Sequence, residues 1–454
     1  MIEIAGFRYN FAARVLLVFA FISLVFAFAG LASADKLTIE DSIKIALENN
    51  PSVRMAKESM NKADAMVGAA NSQGLPHLNL NGNYQRNDKV SVASFNGNEV
   101  TLGSIANRTG NVTLTQLVDV FGLVKTVGQA AKYGKSAYSY GNDSQVNDTT
   151  LDVKMAYFGI LRAQDYLKVQ QETVDQLKAH LKDAQVKFDA GTIAKFDVLR
   201  ADTEVANAQQ GLISAQNGVE LAKASFNNVL GRPLDTPVDL ADPDGPIFIN
   251  VEQAACVDSA FQTRPEVQQG KMNVSLNHKL TDIARLGSKP KLNLQWVGNR
   301  NFDTTVFNPR ADSWTAYLGM SMPLYDGGAT KSAVDQAASD TKTSEFVLTQ
   351  ITNGVTLDAK QSYLSVGEAR ARINAANKAL DQAKESMRLA EVRYQGGIST
   401  QIEVLDAQQA LTLAETNQVN ALYDYHTALA KLEHAVGGQK QFAKLTGTQN
   451  IVSK

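Results

Sequence analysis

The chain has 454 residues, a formal net charge of −2 at neutral pH and a single cysteine, Cys256. Charge this close to balance gives no sign of a nucleic-acid-binding surface, and one cysteine excludes an intrachain disulfide. We therefore expect no nucleic-acid partner, and a fold that is stabilised by packing rather than by cross-links.

The first 34 residues predict a secretory signal peptide. Arg8 and Arg14 precede an apolar run from residue 15 to residue 31, and Ala-Ser-Ala at 32–34 has the small-x-small pattern of a cleavage site. The apolar run is also about long enough to span a bilayer, so a retained membrane helix is the alternative. Either interpretation indicates a protein that enters the export pathway.

Residues 35–233 predict a first structural repeat of helices and strands. Its elements, in order, are helical residues 37–74, strands at about 76–87 and 110–118 separated by a long polar loop, and a helical hairpin at about 122–231. Within the first strand, apolar residues at 78, 80 and 84 alternate with Asn and Gln. Such alternation is typical of a strand whose two faces meet different surroundings.

A linker rich in proline and aspartate, residues 234–250, leads to a second copy of this unit at residues 251–438. The second copy has strands at about 290–301 and 312–324, a helical hairpin at about 329–437, and a polar C-terminal tail at 439–454. The two copies align at an offset of 206 residues, which places Val186-Lys-Phe-Asp-Ala-Gly191 opposite Val392-Arg-Tyr-Gln-Gly-Gly397. We interpret this agreement as an internal duplication.

Each hairpin carries a heptad seam. In the second hairpin, bulky residues recur every seven positions and alanines recur three places later, as at Met387 and Ala390. After Gly396 and Gly397 the return helix repeats the pattern, so we predict an antiparallel coiled coil with its tip at 396–400. The ascending helix of this hairpin, residues 329–394, would be about 100 Å long. The pattern by itself fits both an exposed stalk and one wall of a larger assembly.

The four alternating strands are compatible with a soluble sandwich or with the wall of a membrane barrel. We favour the barrel because the very long helices leave the strands no second sheet to pack against. Four strands cannot close a barrel, since about eight is the smallest number that does so, and lipid does not tolerate open edges. The barrel therefore requires an oligomer of two chains for eight strands or three for twelve.

No catalytic constellation, cofactor site or metal site is predicted, and we do not expect an enzyme. The five histidines are His77, His180, His278, His426 and His434. None lies at metal-ligand spacing from cysteine or carboxylates in the sequence. We expect His426 and His434 to be surface residues.

Together these features resemble the TolC-like outer-membrane efflux protein family. The resemblance covers nearly all of the chain after the signal peptide, and it includes the Phe188-x-x-Gly191 and Tyr394-x-x-Gly397 tips and the Pro323–Gly328 strand exit. It implies a mainly α fold with a small β part, built from a duplicated helix-strand-strand-long helix-helix unit. It also implies a homotrimer with a 12-stranded outer-membrane β-barrel, which continues as a long periplasmic α-helical barrel.

The function that the resemblance implies is an exit duct in the outer membrane of a Gram-negative bacterium, extending into the periplasm. The expected partners are outer-membrane lipid, a periplasmic adaptor (membrane fusion) protein and an inner-membrane pump of the RND or ABC type. The duct would serve tripartite efflux or type I secretion, and its cargo stays open. The alternative is a non-channel coiled-coil structural protein of the periplasm or cell surface.

Four charged residues just past the tips are the candidates for the periplasmic entrance. Glu403 and Asp406 lie three residues apart, hence on one helix face, and the first copy has Asp197 and Arg200 in the same places. The resemblance implies that the two acids line a ring that constricts the entrance. Residue type alone favours two solvated acids, and Arg200 departs from the paired-acid pattern.

The tip residues Phe188, Gly191, Tyr394 and Gly397 have two interpretations. They can be turn formers and seam caps. The resemblance implies that they form the surface on which the adaptor docks.

Overall fold

The computed structural model describes residues 36–90, 92–242, 245, 248–304 and 310–447. The predicted signal peptide and the last residues of the tail, 448–454, lie outside this part of the chain. The described residues form two compact units. Unit 1 comprises the described parts of Met1–Asn50, Asp152–Phe248 and Ala369–Thr427, and unit 2 those of Pro51–Leu151, Ile249–Glu368 and Ala428–Lys454.

Helices make up most of the described chain. They are α1 (Ile39–Asn49), α2 (Pro51–Ser72), α3 (Leu123–Asp189), α4 (Lys195–Leu230), α5 (Gln253–Thr263), α6 (Pro265–Arg285), α7 (Ala329–Gln395), α8 (Gln401–Ala435) and α9 (Gln439–Thr446). The long helices α3 and α7 have 67 residues each, and both are free of proline. Among the described helices, none combines the length and the apolar character that crossing a membrane requires.

The strands of unit 2, in chain order, are β1 (His77–Arg86), β2 (Val92–Phe95), β3 (Asn98–Thr101), β4 (Ala106–Val118), β5 (Lys291–Asn301) and β6 (Asp312–Ser321). Four of them form an antiparallel sheet in the order β1-β4-β5-β6, and β2 pairs with β3 in a separate hairpin. Each copy of the duplicated unit thus gives two strands to one four-stranded sheet, and β1 and β6 are its edge strands.

The register of this sheet separates an apolar face from a polar one. Leu114 of β4 pairs with Leu78 on one side and with Trp296 on the other, which continues the apolar face across three strands. On the opposite face, the Asn81 side chain donates a hydrogen bond of 2.9 Å to Asn111. The described residues do not cover the apolar face, since Leu80 is 79% exposed. The predicted alternation therefore holds across the sheet.

The predicted loop between the first two strands is wrong in two respects. It contains the hairpin β2–β3, and β4 begins at Ala106 rather than at about residue 110. The turn of the hairpin is Asn96-Gly97, with φ of 51° and 83°. Positive φ at both central residues is the mark of a type I′ turn, for which Asn-Gly is the preferred sequence. The Asn-Gly dipeptide is visible in the sequence, so the hairpin was predictable from it.

The core of unit 1 forms where α3 and α4 pack with α1. Tyr157 of α3 is 1% exposed, and Phe226 and Leu230 of α4 are fully buried. The Tyr157 hydroxyl donates to the carbonyl of Ala241 at 2.5 Å, so the buried oxygen has a partner. Gly231 ends α4 with φ of +69°, in the left-handed region that favours glycine.

The heptad seam of the second hairpin packs as the sequence predicts. Met387 and Tyr394 of α7 form one buried cluster with Val404 and Leu411 of α8. Alanines of the small seam positions, including Ala390, pack against this cluster. Small side chains at these positions allow the two helices to approach closely, and this fixes the positions of the residues at the tip.

Candidate functional site

The tip of the first hairpin is a turn closed by Gly191. Its amide donates to the carbonyl of Phe188 at 2.8 Å, and the amide of Thr192 donates to the carbonyl of Lys187 at 2.9 Å. Gly191 has φ of +74°. This bond pair with glycine in the left-handed conformation is the Schellman motif, which satisfies the last carbonyls of a helix.

The tip of the second hairpin repeats this turn. Gly397, with φ of +71°, donates to the carbonyl of Tyr394 at 3.1 Å. Ile398 donates to the carbonyl of Arg393 at 2.9 Å. The two glycines are therefore turn formers, and the duplication extends to the hydrogen bonds of the tips.

Two of the four candidate entrance residues also cap the return helices. The backbone amide of Ala194 donates to the Asp197 carboxylate at 3.3 Å, and the amide of Thr400 donates to the Glu403 carboxylate at 3.5 Å. An acidic side chain at the third helical position that reaches back to the amide before the helix is one half of a capping box. Asp197 and Glu403 thus stabilise the first turns of α4 and α8.

Glu403 and Asp406 are both exposed on α8. The Glu403 carboxylate lies 3.5 Å from the Arg393 guanidinium, with the two side chains 45% and 55% exposed. Exposed ion pairs are worth about 0–1 kcal/mol, so this contact does not hold Glu403 firmly. Asp406 lines a groove of ≈ 610 Å³ between α3, α4 and α8 that Arg200 also lines. The structure therefore brings Asp406 and Arg200 to one groove.

The two aromatic tip residues, which align in the sequence, lie in different surroundings. Phe188 is 36% exposed, whereas Tyr394 is only 8% exposed. The Lys187 ammonium lies 3.5 Å from the centre of the Tyr394 ring, and the His180 ring lies 5.3 Å from it. Burial raises the pKa of the Tyr394 hydroxyl, and nearby carboxylates add to the effect. This burial favours a role for Tyr394 as a seam cap.

One contact that joins the two tips was not found by sequence analysis. The Gln401 side chain, 5% exposed, donates a 2.9 Å hydrogen bond to the backbone carbonyl of Asp197. The two residues are 204 positions apart, and no sequence pattern links Gln401 to Asp197. The bond ties the start of α8 to the start of α4.

The expectation that His426 and His434 are surface residues is wrong. In unit 1, the half-buried His426 ring stacks on Phe158 with 4.8 Å between ring centres. Burial lowers the pKa of His426. In unit 2, His434 Nε2 donates a 2.7 Å hydrogen bond to the Asp148 carboxylate, and the His434 side chain is 14% exposed. Glu266 lies beside this pair, so three side chains that could hold a metal meet here.

Comparison with known proteins identifies the class of this protein. The profile of the outer membrane efflux protein family matches residues 42–232 and again residues 256–438. The chain therefore belongs to the outer membrane efflux protein family. It is 25% identical to the outer membrane protein TolC of Salmonella enteritidis in an alignment of 408 residues that covers 86% of this chain and 79% of TolC.

Two further similarities extend this result. The alkaline protease secretion protein AprF of Pseudomonas aeruginosa is 25% identical over 301 residues, which are 65% of this chain and 62% of AprF. The crystal structure of the CmeC outer membrane channel of Campylobacter jejuni superposes with a TM-score of 0.78 at 16% identity, covering 88% of this chain and 85% of CmeC. The fold is that of an outer-membrane channel subunit.

These findings establish an outer-membrane protein of the TolC family, an efflux or secretion channel. Members of the family work with other components of efflux and secretion systems, and the family consists of channels rather than enzymes. The alternative of a non-channel coiled-coil protein is thereby set aside.

Proposed function

We propose that three copies of this chain close a 12-stranded barrel in the outer membrane. The sheet supports closure because its edge strands β1 and β6 would otherwise leave backbone groups unpaired in lipid. The exposed apolar face, with Leu80 and Trp314 at 79% and 71% exposure, would meet lipid. The face of asparagine, glutamine and threonine would meet a water-filled lumen.

We further propose that the homotrimer is a passive duct that serves tripartite efflux or type I secretion. The name of the family indicates efflux. AprF, which is similar to this chain, is named as a secretion protein, and this supports secretion as the second process. The energy would come from an inner-membrane pump of the RND or ABC type, joined through a periplasmic adaptor protein. Cargo would then be selected by these partners.

The entrance gate would be formed by the acids that follow the second tip. Glu403 and Asp406 are exposed in the single chain, one turn apart at the start of α8, and this is the observation that carries the proposal. Three chains would place six carboxylates at one constriction, where they attract cations and repel anions. Asp197 and Arg200 occupy the corresponding places on α4. Outward movement of the tip helices would widen the constriction.

The turns themselves are the proposed docking surface for the adaptor. Phe188 presents an exposed aromatic ring. Gly191 and Gly397 leave the backbone of both turns accessible, since a Cβ built on either would have no heavy atom within 4 Å. Tyr394 would support this surface from inside the seam.

Single-channel conductance of the purified protein in planar bilayers, with and without divalent cations, tests the gate. We expect a small conductance that divalent cations block, and a larger one that they no longer block when Glu403→Ala and Asp406→Ala are combined. The matched control combines Asp381→Ala and Glu385→Ala, which also removes two exposed acids, from α7. Unchanged conductance in the tip variant, or the same increase in the control, would refute the gate. No conductance from the wild-type protein would refute the closed barrel.

A further inference from the structure

Three potential metal ligands from three helices converge in unit 2. Asp148 comes from α3, Glu266 from the first turn of α6 and His434 from the last turn of α8. One ligand atom from each lies within 4.8 Å of the others. Because Asp148 and His434 are 286 positions apart, only the packing of the helices brings them together.

A neighbouring arginine holds Glu266 in place. The Arg264 guanidinium donates to both Glu266 carboxylate oxygens, at 2.9 and 3.0 Å, and to Asp358 at 2.7 Å. Arg264 is only 7% exposed, so its guanidinium, though not the two carboxylates, is shielded from water. Carboxylates that bind metals are usually oriented by hydrogen bonds of this kind from a second residue.

The backbone that carries His434 is also fixed. The carbonyl of Val436, two residues further on, accepts hydrogen bonds from the hydroxyls of Ser259 and Thr263 at 3.0 and 2.9 Å. Val436 is fully buried. The imidazole therefore projects from a rigid helix end, which limits the reorganisation that binding an ion requires.

The charges at this site favour a divalent cation. Two carboxylates, those of Glu266 and Asp358, pair with the Arg264 guanidinium, and Asp148 beside Glu266 adds a third negative charge. With a neutral imidazole this set has a formal charge of −2, which one divalent ion would neutralise. The half-buried position strengthens the attraction, because charges are screened less there than in open water. Asp148 is 47% exposed, so an ion has a path to the site.

We propose that Asp148, Glu266 and His434 bind a divalent transition-metal ion, with Zn²⁺ as the representative. Imidazole nitrogen combined with carboxylate oxygen suits zinc and its neighbours, whereas calcium takes about 6–8 oxygen ligands. Zinc binds nitrogen and oxygen at about 2.0–2.2 Å, so the ligand atoms of a tetrahedral site lie about 3.4 Å apart. The His434–Asp148 distance of 2.7 Å would have to lengthen to that separation when an ion enters. Water would complete the coordination.

The bound ion would replace the hydrogen bond between His434 and Asp148 and would link α3, α6 and α8. This role is independent of the acidic gate, since the ligands are not among the candidate tip residues. A test of metal binding therefore succeeds or fails separately from a test of conductance.

Equilibrium dialysis of the full-length protein in detergent with Zn²⁺ tests the proposal, with Co²⁺ as a spectroscopic probe. We expect one Zn²⁺ per chain and a visible absorption spectrum for bound Co²⁺. His434→Gln and Asp148→Asn should each weaken Zn²⁺ binding at least about 10-fold. Both substitutions nearly preserve the size and shape of the side chain. If one of the two variants fails to fold, the other still tests the site.

The matched control is His278→Gln. His278 also faces a carboxylate, Glu345, at 3.8 Å, but its side chain is 58% exposed. Among the described residues, no third potential ligand lies beside this pair. Its replacement should leave Zn²⁺ binding and the Co²⁺ spectrum unchanged. No stoichiometric binding by the wild-type protein, or equal weakening in His278→Gln and His434→Gln, would overturn the site. In that case His434 and Asp148 form a hydrogen bond and nothing more.

Discussion

Replacing Leu80 with arginine tests which face of the sheet meets lipid. Leu80 lies on the apolar face of β1, opposite Val112 of β4. It is 79% exposed in the single chain, so the substitution removes few protein contacts. Its cost therefore comes almost entirely from the surroundings of the sheet. An arginine on the lipid face near the bilayer midplane costs about 2–4 kcal/mol per chain.

The neighbouring residue supplies the control. Asn81 lies on the opposite face and donates its 2.9 Å hydrogen bond to Asn111. Asn81→Arg introduces the same charge into the same strand but toward the proposed lumen. We expect it to lose only about 1 kcal/mol, the usual net value of one hydrogen bond.

The assay is reversible folding into lipid vesicles during urea titration, followed by gel mobility of the unheated protein. At about 1.4 kcal/mol for each factor of ten, Leu80→Arg should lower the folding equilibrium constant of each chain roughly 30- to 700-fold. Asn81→Arg should lower it about 5-fold.

Equal effects of the two arginines would refute the assignment of the two faces. Insertion of Leu80→Arg at the wild-type urea concentration would show that this face does not meet lipid at all. In detergent-free buffer, by contrast, neither variant should alter the helical content measured by circular dichroism.

Two further predictions concern unit 1. Gly231→Ala should destabilise the fold more than Gly447→Ala, although both glycines have a left-handed backbone. A Cβ at 231 would lie 2.7 Å from the carbonyl oxygen of Asn49, whereas one at 447 meets nothing within 4 Å. The control should lose about 1–2 kcal/mol, and equal melting temperatures would contradict the clash. Burial lowers the pKa of His426 below its ordinary 6.5, so the unfolded chain takes up a proton first and stability should fall as pH drops below that value. His426→Gln should flatten this loss in thermal melts recorded between pH 7 and pH 5, while the exposed His278→Gln should not; parallel profiles for the two variants would assign the acid sensitivity elsewhere.

Much of this fold can be predicted from short-range patterns in the sequence. The seam of Met387, Tyr394, Val404 and Leu411 was predicted from its seven-residue spacing and is found as one buried cluster. Spacing of this kind is visible in a sequence because a helix places such residues on one face, whatever surrounds it. The alternation at Leu78 and in the later strands was predictable for the same reason. The turn signal of Asn96-Gly97 is equally local, but it is not among the predicted turns.

The sites depend on more than local pattern. The sequence identified Glu403 and Asp197 as acids past the tips, but only the structure shows that both also cap their helices. The internal repeat aligns Phe188 with Tyr394 in the sequence. In the structure, however, Phe188 is exposed and Tyr394 is buried. Burial depends on which helix packs alongside, and the duplication does not specify that.

The duplicated plan, the periodic seams, the faces of the strands and the glycine turns are all predictable from the amino-acid sequence, since each follows from the conformational preferences of neighbouring residues. The contacts between distant segments depend on how the helices pack. Gln401 reaches the backbone of Asp197 across 204 positions, and His434 meets Asp148 across 286. Neither pair leaves a periodic trace in the chain, because a polar contact between two packed helices constrains single residues rather than a repeating pattern.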